Sequence, residues 1–384
     1  MVRFRHFTRR AARSVAAALF MLATTLVPFH AARTAEPSNA EGKLSIHGYG
    51  EVHYNNPETG TMNEDAPAMV DVHRLVLGWE YDFSPILRMS AEIDYEHSAS
   101  EIELEYAHVE YDLSPTLSLR AGSLLMPVGP LNEFHEPPTY HSVERPYVQN
   151  SVIPTTWQEI GFGLVGRASG GALGYRAYVV SGLDAQGFSG GSGIRGGRQH
   201  GVEAKAEDLA LVGRLEYAAR GGISLGASAY YGGADQGALG LGDVTVTLAT
   251  ADVHVRRGAL DLRGVGATGS IENSDSISNV IGSSVGSRFY GAYGEAAFDL
   301  LHGRGASADG GRQLWIFGRL ERFDTMADTA TGVTDSPAAE RTVITGGVAY
   351  HPVPELAFKA DVEHWEDGAD VELNRLNVGV AFQF

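Results

Sequence analysis

Cysteine is absent from this 384-residue chain, which excludes a disulfide framework and any metal site built on thiolates. Lysine is scarce and occurs only as Lys43, Lys205 and Lys359. Beyond residue 35 there is no apolar run of 18 or more residues, and this excludes a bundle of membrane-spanning helices. Two classes remain: a soluble β protein, or a transmembrane β-barrel, whose strands need only about ten residues with one apolar face.

The first 35 residues have the composition of a secretory signal. Arginines crowd its first part, the apolar run Ser14–Val27 follows, and small residues come after it. The run is too short to span a bilayer as a helix, and an amphipathic or transit segment is the alternative. We expect a signal peptide at 1–35 with cleavage between residues 32 and 40, a short N-terminal segment at 36–43, and one barrel domain at 44–384.

Removal of the signal increases the acidic excess. The first 35 residues hold six of the 29 basic residues and none of the 47 acidic ones, so the remainder has 23 basic and 47 acidic residues and a formal charge of −24. This balance disfavours nucleic acid and anionic membrane surfaces as partners. In a pore it would favour cations or neutral solutes over anions.

Alternation of apolar and polar residues is the dominant pattern. Leu87–Glu96 shows it most clearly, because Met89 and Ile93 share an apolar face and charged residues alternate with them. A soluble sandwich also alternates, so the number of strands and their turns must decide between the classes. Sixteen segments qualify: Leu44–Asn55, Met69–Tyr81, Leu87–Glu96, Ile102–Leu113, Thr116–Leu125, Glu159–Arg167, Leu173–Ser181, Leu209–Tyr217, Ile223–Tyr231, Val244–Val255, Leu260–Ile271, Arg288–Leu300, Gln313–Phe323, Thr342–Tyr350, Leu356–Trp365 and Val371–Phe384.

One of these segments departs from strict alternation. Within Ile102–Leu113 the apolar positions change from even to odd residue numbers near Tyr106 and Ala107. An extra residue in the strand, a β-bulge, is the simplest explanation.

Connection lengths decide the strand count. Short connections alternate with mostly longer ones, as in barrels that have short turns on one side of the membrane and long loops on the other. His200–Ala206 is a candidate seventeenth strand, but the alternation holds only if it belongs to the fourth long loop or extends the strand after it. The long connection Leu301–Arg312 falls on the short-turn side and is the weakest part of the count. We predict an all-β fold, a transmembrane antiparallel β-barrel of 16 strands with 18 as the alternative; 16 strands enclose an aqueous lumen.

The longest interval between alternating segments is 126–158. Its prolines, among them Pro137 and Pro138, forbid a regular helix or a central strand. An insert of about thirty residues without regular structure indicates a functional role. We predict that this third external loop folds into the lumen and narrows it.

Four stretches carry a family resemblance: Leu119–Gly163, Leu314–Phe323 (LWIFGRLERF), Gly346–Asp361 (GGVAYHPVPELAFKAD) and the terminal Phe384. Together they resemble bacterial outer-membrane porins of the phosphate-selective porin O and P type. The resemblance implies a sixteen-stranded homotrimeric porin with its third loop inside the lumen. Those porins line an anion path with many lysines, and because this chain has only three, phosphate selectivity is not carried over.

Charged residues recur on the polar faces of the predicted strands. In a pore, the arginines would face carboxylates across the lumen and set its selectivity. The alternative is that the charges only hydrate the lumen or pair across neighbouring strands. The predicted lumen-facing set is Arg74, Arg88, Glu92, Asp94, Glu110, Arg120, Arg176, Arg214, Arg263, Arg319 and Lys359.

The third loop contains its own cluster of charged residues. The predicted pore constriction is Glu133, His135, Glu136, His141, Glu144 and Arg145. Fixed charge at the narrowest point is one role; another is that Glu144 and Arg145 pin the loop to the wall. A metal site made of His135, Glu136 and His141 is a third reading, although the spacing is not that of a helical metal motif.

The function that these observations predict is a passive outer-membrane diffusion channel for small hydrophilic solutes or ions. It needs no cofactor, catalyses no reaction, and has the lipid bilayer and its solutes as partners. An outer-membrane barrel enzyme such as a lipid hydrolase is the alternative, although no G-x-S-x-G elbow occurs in the chain. A soluble exported adhesin is a third reading.

Overall fold

The computed structural model describes residues 43–303 and 311–384. Sixteen antiparallel strands form one closed barrel, in which each strand pairs with its neighbours in sequence and β1 pairs with β16. The strands are β1 (Lys43–Asn56), β2 (Met69–Ser84), β3 (Leu87–Glu96), β4 (Glu101–Ser114), β5 (Leu117–Leu125), β6 (Gln158–Ala168), β7 (Leu173–Ser181), β8 (Leu209–Ala219), β9 (Ile223–Gly233), β10 (Thr245–Arg257), β11 (Leu260–Ile271), β12 (Arg288–Asp299), β13 (Gln313–Asp328), β14 (Glu340–Val353), β15 (Leu356–Asp367) and β16 (Glu372–Gln383).

All sixteen predicted strands are confirmed, and the alternative of 18 is wrong for the described chain. His200–Ala206 lies in the connection between β7 and β8, as the parity of the connections required. The predicted signal peptide and its cleavage site fall on residues outside the described part of the chain. The same is true of most of the long connection after β12, whose residues 304–310 are not described.

Helices occur only in the connections of the described chain. They are α1 (Val148–Ser151), α2 (Ser274–Ile281) and single 3₁₀ turns at His97–Ala99, Pro137–Thr139, Ser169–Gly171, Ala185–Gly187, Arg195–Gly197 and Pro337–Ala339. Among the described helices, none has the length and apolar character needed to cross a membrane.

The barrel closes through the last residue of the chain. The Phe384 backbone N–H donates to the Gly48 carbonyl oxygen at 2.8 Å, and the Gly48 N–H donates back to Phe384 at 3.1 Å. The Phe384 ring lies so close that a Cβ atom on Gly48 would come within 2.8 Å of its Cζ atom. Glycine at position 48 therefore makes room for the terminal aromatic ring.

The two faces of the strands differ sharply in polarity. One face carries large hydrophobic side chains that are exposed in the single chain, for example Ile46 at 61%, Leu320 at 56% and Val362 at 58%. The other face carries buried charged residues, including Glu51 and Arg319. Period-two alternation in sequence has thus produced an apolar outer surface around a polar interior.

β-bulges in β4 and β2 change the phase of this alternation. In β4, Tyr106 pairs with Glu92 and Leu104 with Ile93, so Glu105 is the extra residue. The predicted bulge is therefore confirmed, one residue earlier than expected. In β2 the extra residue is His73, because the β1 partners change from Arg74 to Val72 there.

Candidate functional site

The third long connection, residues 126–157, is closed at its base by Asn132. The Asn132 side-chain amide donates to the carbonyl oxygens of Met126 at 2.8 Å and Trp157 at 2.9 Å. Its Oδ1 atom accepts from the Trp157 backbone N–H at 2.9 Å. Asn132 and Trp157 are fully buried, so one side chain ties the start of the connection to its end.

The middle of this connection is bonded to β15, which lies at least six strands away from β5 and β6 around the barrel. Lys359 Nζ donates to the carbonyl oxygens of Pro137 at 2.6 Å and Ser142 at 2.9 Å. The Val143 backbone N–H donates to Asp361 Oδ2 at 2.7 Å. Charged wall residues thus satisfy backbone groups of a segment whose only described secondary structure there is the single 3₁₀ turn Pro137–Thr139.

The same pattern continues toward the end of the connection. The Val148 N–H at the start of α1 donates to Glu321 Oε2 on β13 at 2.9 Å. The Tyr147 hydroxyl donates to Glu363 Oε2 on β15 at 3.0 Å. All of these acceptors belong to the buried polar face of the wall.

The six residues predicted as a constriction are spread along this connection and face different strands. Their partners are Arg176 for Glu133 at 2.9 Å, Glu105 and Tyr49 for His135 at 2.5 Å and 2.9 Å, Glu295 for His141 at 2.8 Å, and His53 and Asn55 for Glu144 at 3.1 Å and 3.0 Å. Glu136 is half-buried, and the carbonyl oxygen of Glu136 accepts from the Thr139 hydroxyl at 2.6 Å.

The hypothesis of a metal site at His135, Glu136 and His141 finds no support in this geometry. His135 is directed to Glu105 on β4, whereas His141 is directed to Glu295 on β12. In the described chain these three residues do not form a group whose ligand atoms lie within 4.8 Å of one another. Both imidazoles instead have carboxylate partners on the wall.

The pKa values of Glu144 and His141 are both lower than usual. Burial alone raises the pKa of Glu144, but the charge and hydrogen bond of His53 more than offset it and bring the pKa to about 2. His53 lies between Glu144 and Glu51, which is 3.0 Å away on the other side of the ring. Burial lowers the pKa of His141 below its usual value, although Glu295 opposes the shift. Glu144 is therefore a carboxylate at neutral pH.

The arginines predicted to line the lumen are paired with carboxylates. Arg319, which is almost fully buried, lies 2.7 Å from Glu321 and 3.2 Å from Glu295. The other pairs are Arg74 with Glu51, Asp94 and Glu96; Arg88 with Glu110 and Asp112; Arg120 with Glu110; Arg176 with Glu133 and Glu216; Arg214 with Glu216 and Asp252; and Arg263 with Asp261. Glu92 lies 2.8 Å from His47.

A cavity of about 510 Å³ lies beside the third connection. Seven carboxylates and six arginines line it, so its charges nearly balance. Most of the carboxylates come from β3 and β4, among them Asp94, Glu103 and Glu105. Three arginines come instead from connections: Arg145 from the third, and Arg195 and Arg198 from the fourth.

These three loop arginines differ from the carboxylate-paired arginines of the wall named above. Arg195 donates to the carbonyl oxygen of Thr155 at 3.1 Å, and Arg198 donates to that of Thr156 at 3.0 Å. The buried Nη2 atom of Arg145 has no hydrogen-bond partner among the described residues. Burial and the neighbouring guanidinium of Arg198 lower the pKa of Arg195 to about 9. Within the described chain, the loop arginines bring positive charge to the cavity without forming an ion pair with a carboxylate.

Sequence reasoning missed several residues that build this region. Glu105 belongs to it because the bulge in β4 turns Glu105 and Tyr106 to the same face. His73 was missed although the same signal was present, since the apolar positions slip from Val70 and Val72 to Leu75 and Leu77. No local pattern marked Asn132, because its partners lie 6 and 25 residues away.

Comparison with known sequences gives one informative relative. No family model matches the chain. An uncharacterized protein of Aquifex aeolicus (strain VF5) is 32% identical over 354 residues, which cover 86% of this chain and 78% of that protein.

Solved structures with the same architecture share little sequence. The outer-membrane channel DcaP of Acinetobacter baumannii has a TM-score of 0.59 at 10% identity and covers 90% of this chain and 99% of its own. An anion-selective porin from Comamonas acidovorans has a TM-score of 0.57 at 13% identity, and the match covers 90% of this chain and 100% of that porin. Pseudomonas putida OprB has a TM-score of 0.56 at 12% identity, and the match covers 89% of this chain and 94% of OprB. At these identities the likeness shows a common fold.

Proposed function

The chain belongs to the same family as the uncharacterized Aquifex aeolicus protein, and from its closed barrel we infer that it is an outer-membrane porin. The protein is a passive, water-filled channel through which small hydrophilic solutes or ions diffuse down their gradient. It needs no cofactor and catalyses no reaction. Solved structures with this fold include an anion-selective porin and an outer-membrane channel, which supports the proposal.

The observation that carries this proposal is the division of polarity between the two faces of the barrel wall. Side chains such as Leu44, Ile46 and Leu215 are more than half exposed, and a belt of this kind would be insoluble in water. A lipid bilayer is the environment that matches it. The opposite face carries ionised groups, which water inside the barrel would hydrate.

The third connection is the proposed constriction. Its bonds to Asp361 and Lys359 on β15 and to Glu321 on β13 support a path across the barrel interior from its origin between β5 and β6. These anchors hold a segment that lacks regular structure in a fixed position. The open path is then limited by this segment and by the cavity beside it.

The balance of charge around the cavity supports weak ion selectivity. The formal charge of the whole chain favours cations, but seven carboxylates and six arginines leave the cavity nearly neutral. Small neutral or zwitterionic solutes fit such a path, because each finds both signs of charge along it. Phosphate selectivity is not part of the proposal, because the chain has only three lysines.

Electrical recording in planar bilayers tests this function. We expect the purified protein to insert and give large, steady, ohmic conductance steps. Lipid cleavage without conductance would support the barrel enzyme instead. A protein that stays in solution without detergent would support the soluble adhesin.

Assembly and export are also part of the proposal. The resemblance to porins O and P supports a homotrimer, and one of the solved structures with this fold, OmpT of Vibrio cholerae, is a trimer form. Light scattering of the detergent-solubilised protein measures the mass of the particle and tests this. Mass spectrometry of the mature N-terminus tests signal cleavage between residues 32 and 40.

A further inference from the structure

We propose that Asp71, His73 and His97 form a binding site for a divalent transition-metal cation such as Zn²⁺. His97 Nδ1 lies 2.6 Å from Asp71 Oδ2, and His73 Nδ1 lies 3.4 Å from the same oxygen. One ligand atom from each residue falls within 4.8 Å of the other two. The site is distinct from the loop residues considered above and does not depend on the proposed channel activity.

The strand register explains why these side chains meet. Asp71 and His73 are two residues apart on β2 and therefore point to the same face. Arg74 pairs with Glu96, the last residue of β3, and the ring of the following residue, His97, has its centroid 5.5 Å from that of His73. His73 is also the bulged residue of β2, and a bulge re-aims a side chain.

The turn that presents His97 has an unusual backbone. His97, Ser98 and Ala99 have φ angles of 48°, 57° and 65°, which non-glycine residues rarely adopt. Three successive residues in this region make a tight turn between β3 and β4. The imidazole is thereby held over β2 instead of extending with the strand.

The donor atoms select the class of metal. Two imidazole nitrogens and a carboxylate oxygen suit Zn²⁺, Cu²⁺ and Ni²⁺, whereas Ca²⁺ takes six to eight oxygens and Mg²⁺ prefers oxygen and water. Tetrahedral ligands about 2.0 to 2.2 Å from zinc lie about 3.3 Å from one another. The distance from His73 to Asp71 already matches, and the distance from His97 must lengthen, which its 45% exposed side chain permits.

Metal binding competes with one existing contact. His73 Nε2 lies 3.4 Å from Arg74 Nη2, and with a metal on Nδ1 the Nε2 atom carries the proton and cannot accept from arginine. Arg74 keeps carboxylate partners in Glu51 and Glu96, both at 3.0 Å. The loss is therefore confined to a contact of 3.4 Å, which is as long as the one from Arg74 to Asp94.

Equilibrium dialysis of the full-length chain with Zn²⁺, in detergent and without a polyhistidine tag, tests the site. We expect one Zn²⁺ per chain, unaffected by excess Mg²⁺. His97→Asn should weaken binding by about tenfold or more, since a ligand is lost while asparagine tolerates the positive φ. Asp71→Asn is a second variant that keeps the shape of the site.

His254→Ala is the matched control. His254 also faces a carboxylate, at 3.0 Å from Asp261, and is 41% exposed, but no second histidine joins that pair in the described chain. Its removal should leave Zn²⁺ binding unchanged. Absence of stoichiometric Zn²⁺, or displacement of Zn²⁺ by Mg²⁺, would overturn the proposal. So would Zn²⁺ binding by His97→Asn and Asp71→Asn that is as tight as that of the wild type. Circular dichroism verifies that each variant folds.

Discussion

Arg319 of the barrel wall and the arginines Arg195 and Arg198 of the fourth connection have different partners. Arg319 on β13 is enclosed by two carboxylates, whereas Arg195 and Arg198 donate to backbone carbonyl oxygens. A guanidinium neutralised by carboxylates stabilises the wall and contributes little field to its surroundings. A guanidinium held by carbonyl groups keeps its charge available to the cavity. Stability and ion preference are therefore expected to reside in different arginines.

Deleting residues 137–145 should have the largest effect on permeation. The deletion removes the segment bound by Lys359 and Asp361, and single-channel conductance should rise roughly twofold or more, because conductance follows the open cross-section. Planar bilayer recording of wild type and variant measures this. Unchanged conductance would mean that the third connection does not limit the path.

Arg319→Met should have the largest effect on stability. The substitution leaves Glu295 and Glu321 buried without a counter-charge, which costs about 3–5 kcal/mol of unfolding free energy. Urea unfolding in detergent measures the change.

Arg322→Met on the same strand is the control. Its side chain is 64% exposed and pairs with Glu340 at the surface, so little change is expected. Equal losses in the two variants would contradict the distinction between enclosed and exposed ion pairs.

The double variant Arg145→Glu, Arg198→Glu should change selectivity. Both residues line the cavity, and reversing their charge should shift the cation-to-anion permeability ratio toward cations by roughly twofold or more. Reversal potentials in a salt gradient measure the ratio. Arg322→Glu changes charge outside the cavity and should not move it; an equal shift in that control would show that overall charge decides selectivity.

Acid should loosen the third connection through Glu144. Its folded pKa of about 2 lies below the ordinary value of 4.5, so the stabilisation is complete above pH 4.5 and is lost as the pH falls toward 2. Conductance of the wild type should be constant from pH 7 to 5 and rise below about 4. Glu144→Gln should show the raised conductance already at pH 7. If the conductance of Glu144→Gln depended on pH in the same way as that of the wild type, Glu144 would be excluded as the acid-sensitive anchor.

The strands were predictable because their signal is local. Period-two alternation in segments such as Leu87–Glu96 reflects two environments on two faces, and connection lengths then fixed the count. The bulge at Glu105 shifts the apolar positions of β4 between even and odd residue numbers, and this shift predicted it. The bulge at His73 shifts the apolar positions of β2 in the same way, but it was not predicted.

The partners of the third connection were not predictable in the same way. Val143 and Asp361 are separated by 218 residues, and Pro137 and Lys359 by 222. Nothing in the neighbourhood of either residue encodes such a pairing, which depends on closure of the whole barrel. The length and proline content of the connection predicted that it is exceptional. Its contacts, however, depend on the strands of the assembled barrel wall.

Cysteine accessibility tests most directly whether the cavity is the permeation path. The chain has no cysteine, so a single introduced thiol is the only target of a charged, water-soluble thiol reagent. Asn150→Cys places a thiol on the cavity lining, and Leu211→Cys places one on the apolar outer face, where Leu211 is 52% exposed. During bilayer recording the reagent should reduce the current through Asn150→Cys and leave that through Leu211→Cys unchanged. Block of the outer-face variant alone, or of neither, would contradict a channel through the barrel interior.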